Sequence, residues 1–184
     1  MMGIIKNKFK TEYLILFLFF LFVLGFRLYF AFQTNHFNTD GAYFHLRHIQ
    51  YFLEEKSPLT YDNLSYGGRE VLYPPLFHVI MAFLSFGSII LLKLIPEIFI
   101  SLTIFIVYGI SKYISDDPYV PIFSAVLSSF FPILFGETLN NLSVYTLVVP
   151  LLLVMIYSLL RLDEKFYLWL FIICSFLLPL LHSS

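Results

Sequence analysis

The sequence predicts an all-α protein, a polytopic bundle of transmembrane helices with about five spans. Of its 184 residues, 59% are hydrophobic and 12% charged. Mean hydropathy is +0.84, and the polar residues fall in short breaks between apolar runs of helix length. A soluble domain of this composition would have no water-facing surface to speak of. The net charge of -1, spread without a basic stripe, gives no footprint for nucleic acid. Cys174 stands alone in an apolar run, so it can form no internal disulfide and serves packing or faces lipid.

The first apolar run, residues 13–32, is long enough to cross the roughly 30 Å hydrocarbon core. Lys6, Lys8 and Lys10 precede it and no small-residue cleavage site follows, so it reads as an uncleaved span with a cytoplasmic N-terminus. Arg27, near the end of this run, is expected to snorkel outward. Residues 33–73 then hold most of the polar side chains. They open an extracytoplasmic loop, residues 33–90, whose last part, 75–90, reads as a surface or re-entrant helix. Further spans follow at about 94–113, 119–135, 142–160 and 166–182, parted by polar breaks that place Lys112, Arg161 and Lys165 inside. A six-span alternative, in which 75–92 also crosses, puts Arg161 and Lys165 outside, against the positive-inside bias. The chain stops at the end of an apolar run, and we expect residues 1–184 to be the N-terminal transmembrane region of a longer protein.

Within the polar loop, Tyr43, Leu46, Ile49 and Leu53 recur at helical spacing after Thr39-Asp40-Gly41. Asp40 then has two readings: an N-cap of that helix, contributing about 1 kcal/mol, or a carboxylate that binds a cation or takes a proton at the membrane surface. His45 and His48 share one helix face, but two histidines without a third ligand make a poor zinc site. Asn63-Leu64-Ser65 and Asn141-Leu142-Ser143 match the glycosylation sequon by pattern alone.

The stretch Asn38-Thr39-Asp40-Gly41-Ala42-Tyr43-Phe44-His45-Leu46-Arg47 resembles the first extracytoplasmic loop of the GT-C membrane glycosyltransferases. The likeness is strongest to the catalytic subunit of archaeal and bacterial oligosaccharyltransferases. It continues in order through Tyr66-Gly67-Gly68, Tyr73-Pro74-Pro75-Leu76, Val148-Val149-Pro150 and His182-Ser183-Ser184. The resemblance implies that Asp40 binds Mg2+ or Mn2+ or acts on the acceptor. Arg47, two helical turns on, could hold the phosphate of a lipid-linked donor through its planar fork, or pair with Asp40 or with lipid headgroups. His78, in an apolar helix, could touch the same phosphate or simply pack. At the positions matching the family's second acidic pair stand Asn141 and Ser143, both uncharged. Asn141 can still give a metal one oxygen ligand. Glu137, one turn away, is the carboxylate that could take over, or it caps the following span.

The expected function is therefore a membrane glycosyltransferase. It would move a sugar or oligosaccharide from a polyprenyl-phosphate or pyrophosphate donor, on the outer face of the bilayer, to a protein or glycan acceptor, protein Asn being one candidate. The competing reading is a non-catalytic or degenerate GT-C-like subunit that binds lipid or partners, which the uncharged Asn141 and Ser143 favour. Transport fits less well, because Arg27, Glu97 and Lys112 sit near span ends rather than at the midplane.

Overall fold

The computed structural model describes the backbone of residues 2–64 and 67–182, with side chains from Thr11 onward. Among these residues the chain forms eight helices: α1 Met2–Ala31, α2 Asp40–Glu55, α3 Leu76–Ser85, α4 Ile89–Ile114, α5 Val120–Ser129, α6 Pro132–Thr138, α7 Tyr145–Leu159 and α8 Lys165–Leu181. Strands β1 Tyr61–Asp62 and β2 Arg69–Glu70 pair antiparallel as a short hairpin between α2 and α3. The hairpin is absent from the sequence reading, because two-residue strands carry no alternation to detect. Gly67 and Gly68 turn it with φ of 75° and 68°. A Cβ at Gly68 would also crowd the exposed Tyr61 hydroxyl, which can swing aside, so the positive φ is what calls for glycine there. Ser65 and Tyr66, and with them parts of one sequon and one motif, lie outside the described residues, as do Ser183 and Ser184.

Among the described residues, two helices are long and apolar enough to cross a membrane: residues 11–31 of α1 and all of α4. A third is available if α5 and α6, bent by 43°, count as one broken span. The break has a local cause. Pro132 opens α6 and forces the preceding Phe131 into extended backbone, φ −66° and ψ 116°, which ends the helical run. The apolar helices α3, α7 and α8 are shorter.

Successive long elements run in alternating directions, as their end contacts show. Lys93, early in α4, reaches the Ala31 carbonyl at the end of α1, while Lys112 meets Glu12 at the other end. Asn140, just after α6, donates to Glu97 of α4, so the α5–α6 pair returns to the α2 side. The guanidinium of Arg161, after α7, lies over the Tyr113 ring, and α8 brings His182 back beside Tyr145. One end of the bundle thus gathers α2, α3, the 34–41 loop, the 139–144 loop and His182. The opposite end gathers Tyr13, Lys112, Tyr157 and Arg161.

Each end has its own core. Phe37, Ile49, Phe77, Met81, Leu92, Leu142 and Leu181 bury one another where α2 and α3 lie over α4, α7 and α8. Leu16, Val23, Ile104, Tyr108 and Ala125 join α1 to α4 and α5. Cys174 is buried, so its role is packing.

Arg27 departs from expectation. It does not snorkel; its side chain is 1% exposed and its Nε donates to Glu97 Oε2 at 2.6 Å. Nη2 donates to Thr138 Oγ1 at 2.8 Å, and the guanidinium lies 5.0 Å from the Phe135 ring centre. Glu97 stands about two turns into α4, and its second oxygen accepts the Asn140 amide, so both charges are answered inside the protein.

Candidate functional site

The 34–41 and 137–143 segments are joined by an unbroken set of hydrogen bonds, although about a hundred residues separate them in sequence. Asn38 donates its backbone N–H to the Asn140 carbonyl at 3.1 Å and its Nδ2 to the Leu139 carbonyl at 3.1 Å. Asn140 adopts φ 48°, a left-handed conformation that Asn tolerates better than most residues. Its Nδ2 lies 2.9 Å from the His36 carbonyl and 3.0 Å from Asn38 Oδ1. Lys93 completes the frame by donating to the carbonyls of Ala31, Thr34 and His36 at 3.0, 2.6 and 3.1 Å. A cation there meets the negative end of the α1 dipole while it pins the loop.

Thr39, not Asp40, caps α2: its Oγ1 accepts the Ala42 amide at 3.2 Å. The same hydroxyl donates to Asn141 Oδ1 at 2.7 Å, and Asn141 Nδ2 donates to the Glu137 carbonyl at 2.8 Å. This corrects two expectations. Asp40 is the first residue of α2 and its side chain is exposed, so it is released from capping. Asn141 is a bridge between the loops, with both ends of its amide engaged by protein.

These loops form one wall of a cavity of about 370 Å³. Thr39 and Gly41, flanking Asp40, line it together with Glu137, Asn141 and Ser143. His45 and His78 face it from α2 and α3, Tyr73 and Pro74 rim it, and Tyr145 and His182 close the far side. Three of the residues expected from the sequence, His78, Glu137 and Asn141, therefore share one cavity, whereas Asp40 lies between two lining residues without lining it. Glu137 sits at the end of α6 rather than at the start of α7, which removes its capping role for the following span.

Arg47 is placed elsewhere. Its Nη1 donates to Asp62 Oδ1 at 2.6 Å, tying α2 to β1, and it does not line the cavity. Asp62 is buried and also accepts the Leu64 amide. The 47-to-40 spacing overlooked this partner because the hairpin was not foreseen.

Histidine is the site's main unforeseen feature. His45 Nδ1 and His78 Nε2 are 2.9 Å apart, so one ring must donate and the other accept. His48 stacks on His78 with ring centres 4.7 Å apart, and His48 Nε2 is buried without a partner. Burial, reinforced by the neighbouring imidazoles, holds His45 down to about 4 and His78 down to about 3. His48 is lowered too, by burial, against the opposing pull of Asp62. Both members of the hydrogen-bonded pair are therefore neutral at pH 7. The third histidine that the sequence lacked for a zinc site is supplied by α3, yet stacked rings do not converge on one point. Among the described residues no group of three His, Cys, Asp or Glu side chains is arranged to hold a metal ion. The residues expected to bind Mg2+ or Mn2+ do not fit that role: Asp40 is exposed and does not line the cavity, Asn141 is engaged, and Glu137 is the one carboxylate in the lining.

No family model, curated protein or solved structure matches the chain.

Proposed function

We propose that this chain is a membrane glycosyltransferase of the GT-C type, taking a sugar or oligosaccharide from a polyprenyl-phosphate or pyrophosphate donor at the extracytoplasmic face. The observation that carries the reading is the pairing of the 34–41 and 137–143 loops around a single cavity at one end of an apolar bundle. The first of these segments resembles the family's first acidic loop in its residues, and the second stands where the family's second acidic pair would fall, with Asn141 and Ser143 in its place. The cavity has the properties such a reaction needs. The neutral His45–His78 pair, which spends one N–H on its internal hydrogen bond, can offer its remaining N–H to a phosphate oxygen, and Glu137 and Asp40 are carboxylates able to accept a proton from an attacking acceptor. A five-span topology belongs to the same proposal, with α3 lying at the surface. The alternating helix directions support it.

Arg47 is omitted from phosphate binding in this proposal, because Asp62 holds it. No step runs through a metal ion.

The test is sugar transfer from a radiolabelled polyprenyl-phosphate donor in proteoliposomes. Asp40→Asn leaves Thr39 to cap α2, so insertion and folding should be unchanged while transfer falls by at least about 100-fold, the low end of acid-base contributions. Transfer by Asp40→Asn and by Glu137→Gln at near wild-type rates would sink the reading. Donor binding with no turnover by any preparation would instead favour the second reading, a lipid-binding subunit without catalysis. The commitment of Asn141 and Arg47 to structural bonds is the observation on that side.

A further inference from the structure

We propose that the opposite end of the bundle carries a binding site for an anionic phospholipid of the surrounding bilayer. A groove of about 680 Å³ lies there, with α4 and α7 as its floor and α1 and α8 as its walls. Its deeper lining is apolar, from Leu16, Phe105, Ile106, Val154 and Leu170. Its mouth is lined by Lys112 and Arg161 together with tyrosine hydroxyls. An acyl chain fits the first environment and a phosphate the second.

The cations are held rather than free to wave in solvent. Lys112 Nζ donates to Tyr108 at 2.8 Å and lies 5.3 Å from the Tyr13 ring centre. Arg161 donates through Nη1 to Tyr157 at 2.9 Å and Tyr167 at 2.6 Å, with its guanidinium 4.1 Å from the Tyr167 ring centre. Each has a carboxylate on its outer side: Glu12, 3.4 Å from Lys112, and Glu164, beside Arg161. The Glu164 side chain is 56% exposed, and an exposed pair of this kind contributes little, so a phosphate can displace it. A planar guanidinium suits that exchange, since it can bind phosphate oxygens through two parallel N–H bonds.

The contrast with the other end of the bundle sets the site apart from a general scatter of interfacial cations. There, Arg27 and Lys93 are buried and saturated by protein partners. Here, two immobilised cations face one groove whose remaining surface is apolar and aromatic. Glu12 and Glu164 balance the two cations, so selection for a negatively charged headgroup rests on its phosphate replacing Glu164, the more exposed of the two carboxylates, at Arg161.

The full chain, purified in a non-ionic detergent, should be offered equimolar phosphatidylglycerol and phosphatidylcholine of matched acyl chains and examined by native mass spectrometry. We expect phosphatidylglycerol to be retained at least about five-fold over phosphatidylcholine, the ratio given by one cation's attraction to an anionic surface. Lys112→Gln with Arg161→Gln should abolish the preference, whereas Arg47→Gln, at the other end, should leave it intact. Helical circular dichroism and a monodisperse elution profile identify the variants that have folded; Lys112→Gln alone, if only that one folds, should halve the preference or more. Equal retention of both lipids by the wild type, or an undiminished preference in a folded variant, overturns the site. Preferential retention of a polyprenyl phosphate, lost in the same variants, overturns the phospholipid assignment.

Discussion

His78 shows how far a single residue's surroundings can redirect its chemistry. In the sequence it is a lone histidine in an apolar helix, and a phosphate contact or plain packing would explain it equally. In the fold it bonds His45, stacks on His48 and faces Glu137 and His182 across the cavity, while Asp62 and Arg47 act on the cluster through His48. The two hydrogen-bonded imidazoles titrate well below the ordinary value of 6.5, at about 4 and about 3. When α2 and α3 separate, each ring regains its ordinary affinity for a proton. The open form therefore binds more protons than the packed form between pH 6.5 and about 3. Packing of α3 on α2 should be complete above pH 6.5 and weaken as pH falls through that window. The protection of the α3 amides in nanodiscs, taken as the ratio of intrinsic to observed exchange rate at each pH, should fall below pH 6 in the wild type and fall less in His78→Phe. A pH-independent protection in the wild type would show that the pair does not hold the two helices together. Asp40 teaches the complementary lesson at this scale. The position of the helix start was legible, but the capping residue was one place earlier, since Thr and Asp both cap and the pattern Thr39-Asp40 cannot rank them.

At the scale of elements, α1 and α4 are joined through the buried Arg27–Glu97 pair. The sequence contained this signal: two charges of opposite sign within apolar runs, each costly unless answered by a partner. Their nearness to the predicted span ends made snorkelling the simpler account. It fails because α4 begins at Ile89, before Lys93, which places Glu97 inside the helix and level with Arg27. The hairpin lies at the other extreme of legibility. Arg47 and Asp62 give no local pattern, and the turn residues Gly67 and Gly68 mark a loop without saying what it joins. For the ion pair the physical consequence is specific. Glu97→Gln leaves a guanidinium buried without its counter-charge and should cost about 3–5 kcal/mol. Arg27→Met with Glu97→Leu removes both charges and should cost less than that single change. It should still cost about 1–3 kcal/mol, because the Asn140 amide loses its acceptor. Unfolding from mixed micelles by SDS titration, followed by circular dichroism, orders the variants. A single variant as stable as the wild type would show that the pair is solvated and the α1–α4 contact is held by apolar packing alone.

For the whole molecule, the helical class and most helix positions were legible, because apolar periodicity and proline breaks act locally. Which loops meet was not legible from those signals, since it depends on the direction of each helix and on side chains far apart in sequence. The fold answers part of that question: the 34–41 and 137–143 loops lie together, and Lys112 and Arg161 lie together at the far end. The direction of each helix also bears on the number of spans. At ten residues α3 is about 15 Å long, half the roughly 30 Å hydrocarbon core, so it is too short to cross alone. Its end is sharp, with Phe86 and Gly87 at φ of 49° and 78° reversing the chain into α4. If α3 stays at the surface, Asp40 and Glu137 face the outside while Asp116 and Asp163 face the inside, in line with the lysines at positions 6, 8 and 10. Single cysteines at these four positions, in a Cys174→Ser background, can be labelled by an impermeant maleimide added to intact cells. Labelling at 40 and 137, with protection at 116 and 163 until the membrane is opened, is the expected result. Labelling at 40 but not at 137 would mean that an additional crossing intervenes. The loop pairing would then be impossible in the bilayer, and the cavity built on it would fall with the topology.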